Sequence, residues 1–253
     1  MDETYNIKAI ILKNEPFREA DCRLTIFSLE KGKMELVARG AKKIKSKAAG
    51  HIQPLTVSSI MVVRGRNYDY AGSVAAENCF INIKSDLEKI KAAGQAADIF
   101  EKFVKGGEKD EKLFYLLFGY LILIDANKPP GDDYELWKNY FIIKLLDLLG
   151  YRPELFKCLE CGEKIKPNGN AFSFKKGGII CASCKKIDPL LFHFAKKNTS
   201  LTISENCVKV LRLIIEKDFL ILVKLKVNKG LAEEVKRIVS SFLNYHHDII
   251  RRR

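Results

Sequence analysis

Over roughly the first 80 residues the apolar positions come in short, β-branched runs separated by turn residues. Ile7 to Leu12, Arg23 to Leu29, Met34 to Ala38, Val57 to Val63 and Tyr70 to Val74 read as five strands. Asn14-Glu15-Pro16, Lys31-Gly32-Lys33 and Gly65-Arg66-Asn67 supply the turns. No helix-period segment among them is long enough to carry a crossover, so the expectation is a small antiparallel barrel, OB-like or SH3-like in size.

The period changes at Ser85. Leu87, Ile90, Ala93, Ala97, Phe100 and Val104 recur at helical spacing behind a Ser85/Glu88 capping-box pattern, until Gly106-Gly107. A second helix is expected from about Glu111 to Asp125. A third runs from about Asp133 through Leu136, Tyr140, Ile143 and Leu148 to Gly150, with Pro153 just beyond. After a cysteine-rich insert, Thr202 and Glu205 repeat the capping spacing before a helix to about Lys217. Leu231, Val235, Ile238, Phe242, Tyr245 and Ile249 then mark one narrow apolar stripe. The architecture expected is α+β and multidomain: a barrel domain over 1–82, then a helical domain over 83–253 with a metal module inserted at about 156–187.

Composition adds a direction to this pattern. The 253 residues carry 44 Lys+Arg against 31 Asp+Glu, a formal net charge of +13, with +4 in residues 1–80, −2 in 81–150 and +11 in 151–253. Two basic ends flanking a near-neutral middle imply anionic partners rather than a generic solvated surface. The longest apolar run, Leu113 to Ile124, is about twelve residues, well short of the roughly 20 that span a bilayer, and reads as a buried helix. Met1-Asp2-Glu3-Thr4 has neither the basic start nor the apolar block of a signal peptide. A cytoplasmic, reducing compartment is therefore expected.

In such a compartment the seven cysteines are thiols or metal ligands. Cys158-Leu159-Glu160-Cys161-Gly162 and Cys181-Ala182-Ser183-Cys184, with 19 residues between Cys161 and Cys181, make two knuckles. A two-residue spacer lets both thiolates of a pair reach one ion, and two pairs complete a Zn2+ tetrahedron with no open position, so one structural zinc is expected. Disulfides, a redox pair and inert thiols are weaker readings, given the compartment and the lack of a βαβ context. Phe172-Ser173-Phe174 and Ile179-Ile180 form a hairpin expected to need the metal. Cys22, Cys79 and Cys207 read as core residues, and His51, His193, His246 and His247 show no ligand spacing.

Residues 31 to 66 hold nine basic side chains and one acid, Glu35. The candidate nucleic-acid contacts are Arg39, Lys42, Lys43, Lys45 and Lys47 in the loop between two barrel strands, with Arg64 and Arg66 in the next turn. Tyr68, Tyr70 and Phe17 are candidates for stacking on bases. No phosphate loop, His-Glu-x2-His, Gly-x-Ser-x-Gly or Gly-x-Gly-x2-Gly occurs. Asp132-Asp133 fits the positive end of a helix better than a metal site. The chain is thus read as a binding protein, with no catalytic residues.

The order of parts, with Asp21-Cys22-Arg23-Leu24, Arg39-Gly40-Ala41-Lys42-Lys43 leading to Gln53-Pro54-Leu55, and Leu148-Leu149-Gly150-Tyr151-Arg152-Pro153 before the first knuckle, resembles the RecO family of bacterial DNA repair proteins. The resemblance implies an OB-fold N-terminal domain, a helical domain with a four-cysteine zinc module, and a non-enzymatic mediator. Such a mediator binds and anneals single- and double-stranded DNA and, with RecR and often RecF, loads RecA onto DNA coated by the single-stranded DNA-binding protein, touching that protein's acidic tail. The runner-up is an RNA-binding OB and zinc-ribbon protein acting in translation or transcription.

Overall fold

The computed structural model describes residues 4–107, 109–129, 134–187, 200–222 and 224–251. Asp132, Asp133, His193 and the Arg252-Arg253 tail lie outside them. Five strands form the first element group: β1 (Thr4–Pro16), β2 (Cys22–Ser28), β3 (Gly32–Ala38), β4 (Val57–Val63) and β5 (Tyr70–Asn78). They close in the order β1-β2-β3-β5-β4, with β4 returning to β1 and a parallel β3–β5 pairing of Val37 with Tyr70. That order is the OB barrel, the first of the two sizes expected.

Alternation supplies the interior. Ile7, Ala9 and Ile11 of β1, Leu24 and Ile26 of β2, Leu36 of β3, and Ile60 and Val62 of β4 meet in one buried cluster. Val37, Val63 and Tyr70 lie at the end where β3 and β4 finish and β5 starts, and Pro16 pairs with Cys22 and Cys22 with Ala38 there too. Topology therefore gathers segments 17–21, 39–47 and 64–69 at one end of the barrel.

Helices α1 (Ile81–Lys84), α2 (Leu87–Phe103) and α3 (Glu111–Ala126) follow. Capping differs from the sequence expectation at α2. Ser85 is consumed as the end of α1, its N–H donating to Ile81 O at 3.0 Å, and Asp86 is the cap, its carboxylate accepting from the backbone N–H of Glu88 and Lys89. Helix α2 packs on the barrel through Phe100, edge-on to Phe27 at 4.9 Å, and through Glu101, which pairs with Lys13 at 3.0 Å and Lys33 at 2.9 Å. The apolar run Leu113 to Ile124 is the body of α3, mostly buried as expected, with Tyr115 and Ile122 exposed. No helix among the described residues is long and apolar enough to cross a membrane.

By compactness the chain divides at 128/129, so α1 to α3 belong with the barrel. The second unit contains α4 (Tyr134–Leu148), β6 (Ala171–Ser173), β7 (Gly178–Ile180), α5 (Ala182–Ile187), β8 (Ser200–Thr202), α6 (Glu205–Glu216), α7 (Phe219–Leu222) and α8 (Lys229–Arg251). Thr202 is a strand residue paired with Ala171, so it does not cap α6. Ser204 does, accepting from Cys207 N at 3.1 Å. The carboxylate expected from Glu205 comes instead from Glu234 of α8, which receives both the N–H and the hydroxyl of Ser204 at 2.7 Å. The α8 stripe buries Val235, Ile238 and Phe242.

Candidate metal centre and nucleic-acid interface

The second unit sets four sulfurs around one point. The first knuckle turns at Gly162, whose φ of 74° is open to glycine at little cost and whose N–H donates to Cys158 O at 2.9 Å. The second is fixed by α5, which starts directly after Cys181. Between them, β6 and β7 join through Gly177 at φ 74°, and Gly178 lies so close to Glu154 that a Cβ there would sit 2.4 Å from Glu154 O. Ile179 N donates to that same oxygen at 3.0 Å, tying the stem of the first knuckle to the hairpin.

The ligand atoms of Cys158, Cys161, Cys181 and Cys184 all lie within 4.8 Å of one another, and the Cys161 and Cys181 sulfurs are 3.9 Å apart. A tetrahedral ion with bonds of about 2.3 Å needs sulfur separations of about 3.8 Å, so the donor set is of the size that holds a metal ion. Electrostatics agree. Burial works to raise the Cys158 pKa, but backbone N–H groups of Cys161, Cys181 and Glu160 outweigh it and pull the thiol down to about 6. Hydrogen bonds with Cys181 and Cys161 push Cys184 up to about 12, because four thiolates cannot share this space without a cation.

The hairpin is less isolated than its sequence implies. β8 pairs with β6 to make a three-stranded sheet, and Phe172 packs 5.3 Å from Phe242 of α8. Arg212 of α6 donates to Leu155 O through Nε at 3.1 Å and lies 4.6 Å over Phe156. Neighbouring elements thus take part in holding the module. Cys22 and Cys207 are buried and do not belong to the cluster, and Cys79 is partly buried.

The barrel end carries the second candidate site. Gly40 has a φ of 63° and its N–H donates to Asp21 Oδ1 at 2.9 Å; Lys42 N donates to Ala20 O at 3.0 Å, and Ala41 is buried. Past this stem, turns close from Lys43 N to Gly40 O at 3.1 Å and from Ser46 N to Lys43 O at 2.9 Å. Lys42, Lys43, Lys45 and Lys47 are exposed and make no ion pair among the described residues. Arg39 is exposed and stacks 3.8 Å over Tyr70, while Arg64 and Arg66 are exposed in the β4–β5 turn.

Topology joins these cations to the expected aromatics. Phe17 meets Tyr68 edge-on at 5.3 Å and is overlaid by Arg23 at 4.5 Å and Arg18 at 5.1 Å. Arg18 and Arg23 were not among the sequence candidates; for Arg23 the signal available was that an arginine on a barrel strand must point outward, and for Arg18 its place in the turn beside Phe17. Gly65 makes room for this surface, since a Cβ there would meet Tyr70 at 2.6 Å and Tyr68 O at 2.3 Å. Cations alternating with half-exposed rings offer both groups that a single-stranded polyanion with aromatic bases engages.

A family model described as "Recombination protein O N terminal" matches residues 1–78, and one described as "Recombination protein O C terminal" matches residues 84–253. Curated relatives named "DNA repair protein RecO" agree over the whole length. That of Desulforamulus reducens is 32% identical over 242 residues, covering 96% of this chain and 89% of that protein. That of a Roseiflexus species is 30% identical over 244 residues, covering 96% and 81%, and that of Alkaliphilus metalliredigens 28% over 241, covering 95% and 93%. With both halves matched in order and relatives sharing the full length, this chain belongs to the RecO family.

Proposed function

We propose that this protein is a DNA-binding recombination mediator in DNA repair, acting in the bacterial cytoplasm at the nucleoid without chemistry of its own. It binds and anneals single- and double-stranded DNA and, with RecR and RecF, helps load RecA onto strands coated by the single-stranded DNA-binding protein, whose acidic tail it contacts. The observation that carries this reading is the pinned loop of exposed lysines at 42, 43, 45 and 47, without ion pairs among the described residues, beside the arginine-aromatic surface. Family membership supplies the context in which that surface meets DNA. Functionally, residues 1–82 act as the nucleic-acid domain, and 83–253 as the helical domain with its module at about 156–187.

The mechanism asks only for electrostatics and stacking. Arg39, the four lysines, Arg64 and Arg66 neutralise phosphates, lowering the repulsion between two strands held on one surface and speeding their encounter. Phe17, Tyr68 and Tyr70 present ring faces to bases. Cys158, Cys161, Cys181 and Cys184 hold one Zn2+ that, when bound, crosslinks the module's two knuckles and has no open position for a substrate.

If the loop makes about five phosphate contacts on a single strand, log affinity falls with log salt at a slope near −3.5. Replacing Lys42, Lys43, Lys45 and Lys47 by alanine flattens that slope; an unchanged slope refutes the assignment. Matched single-stranded DNA and RNA, followed by annealing in the presence of single-strand-binding protein, separate a DNA mediator from an RNA-binding protein.

A further inference from the structure

Among the described residues, Ile44 is the large apolar side chain most fully given to solvent. Its exposure is 105% of the reference value, against 77% for Leu87, the next highest among large exposed hydrophobics of the described residues. Single exposed aliphatics are common on proteins and by themselves ask for no partner. Ile44 differs in its setting. It sits at the centre of Lys42-Lys43-Ile44-Lys45-Ser46-Lys47, past a stem fixed by the Asp21 carboxylate and the buried Ala41, in a turn closed by Ser46 N on Lys43 O. Lysine and serine would serve solubility there; isoleucine does not.

We propose that Ile44 is a wedge that enters between neighbouring nucleobases once the surrounding lysines have gripped the phosphates, an inference that rests on the nucleic-acid reading of the loop. Four cations select a polyanion as the partner. On a nucleic acid, the apolar surface within reach of a side chain surrounded by phosphate-bound lysines is the face of a base. A β-branched side chain has few χ1 choices, so it inserts as a stiff body and loses little freedom on doing so. Prising bases apart costs least where the stack is already open, as in a single strand or a frayed end. The wedge therefore favours single strands and gap edges over continuous duplex, and it holds bases unstacked and available for pairing with a complementary strand.

The test uses the full-length protein, a 20-nucleotide single strand carrying 2-aminopurine between adenines, and the matching duplex. Wild-type protein brightens the 2-aminopurine, which is quenched when stacked. Ile44→Ser abolishes the brightening and weakens single-strand binding about tenfold, the equivalent of about 1.4 kcal/mol and well within what burying an isoleucine supplies. The salt slope stays unchanged because the lysines remain, and duplex affinity changes less. Since Ile44 touches nothing in the fold, the melting temperature is unmoved. Ile44→Ser that keeps both brightening and affinity overturns the wedge. So does a variant whose DNA binding is intact but whose binding to anionic phosphatidylglycerol vesicles is lost, which would make Ile44 a lipid contact. Failure of the loop reading itself looks different: the slope would be unmoved when the four lysines are replaced.

Discussion

Gly178 shows how one hydrogen atom in place of a methyl group shapes a site. The backbone of Glu154, bridged to Gly178, runs against it with room for nothing larger, and Ile179 depends on the same Glu154 carbonyl. Gly178→Ala should cost the second unit about 1–3 kcal/mol by forcing those backbones apart, seen as a lower melting temperature and faster loss of metal to a chelator. Tyr68 makes the opposite kind of contribution: its ring is exposed and only edge-on to Phe17. Tyr68→Ala should leave the fold intact and weaken single-strand binding by about 1–3 kcal/mol at an unchanged salt slope, measured by titration of a labelled strand. Exposure, rather than residue type, separates the two expectations.

At the scale of elements, caps and packing faces decide where a helix starts and what it tolerates. Asp86 holds two N–H groups of α2, so Asp86→Ala should destabilise the first unit by about 1 kcal/mol, whereas Ser85→Ala should leave helix α2 uncompromised; thermal melts of the two variants check this. In α8, His246 packs 4.4 Å from Tyr151 and 4.5 Å from Phe242, and burial lowers its pKa from 6.5. The folded state then binds fewer protons than the unfolded one. Its stabilising contribution is fully present above 6.5 and is lost as pH falls from there through the lower folded value. Stability of the second unit should decline over that window in wild type and decline less in His246→Phe, compared by denaturant melts at stepped pH.

For the whole molecule the predicted behaviour is modular. Removing the metal, by chelation or Cys158→Ser, should destabilise the second unit while the barrel keeps its strand signal in circular dichroism, because the barrel core draws on residues 5–74, all within the first unit. The loss should be smaller than for a free zinc-finger peptide, where the metal supplies upwards of about 10 kcal/mol, since β8, Phe242 and Arg212 also hold the module. Metal content near one zinc per chain in purified protein would match this; substantially less would contradict the zinc assignment. The charge with which the chain advertises itself is likewise divided. Its lysine loop belongs to the barrel end, while the +11 of the last hundred residues belongs with the metal module and its helices.

Local pattern by itself determined the strands, the long helices, the paired Cys-x2-Cys knuckles and the basic loop, because each rests on periodicity or spacing over a few residues. Val57–Val63 and Glu111–Ala126 are legible for that reason. The caps were not, because Ser85 and Thr202 satisfy the same short pattern as Asp86 and Ser204, and only the preceding helix and the β6 pairing leave the latter two free for the work. Tertiary structure alone put Glu234 under Ser204, set β8 beside β6, and stacked Arg23 on Phe17 beside Tyr68. These contacts join residues 6 to 51 positions apart, and no local preference encodes such a distance. They are fixed only when burying the strand and helix faces selects one arrangement, and that arrangement gathers three separate polar segments at one end of the barrel.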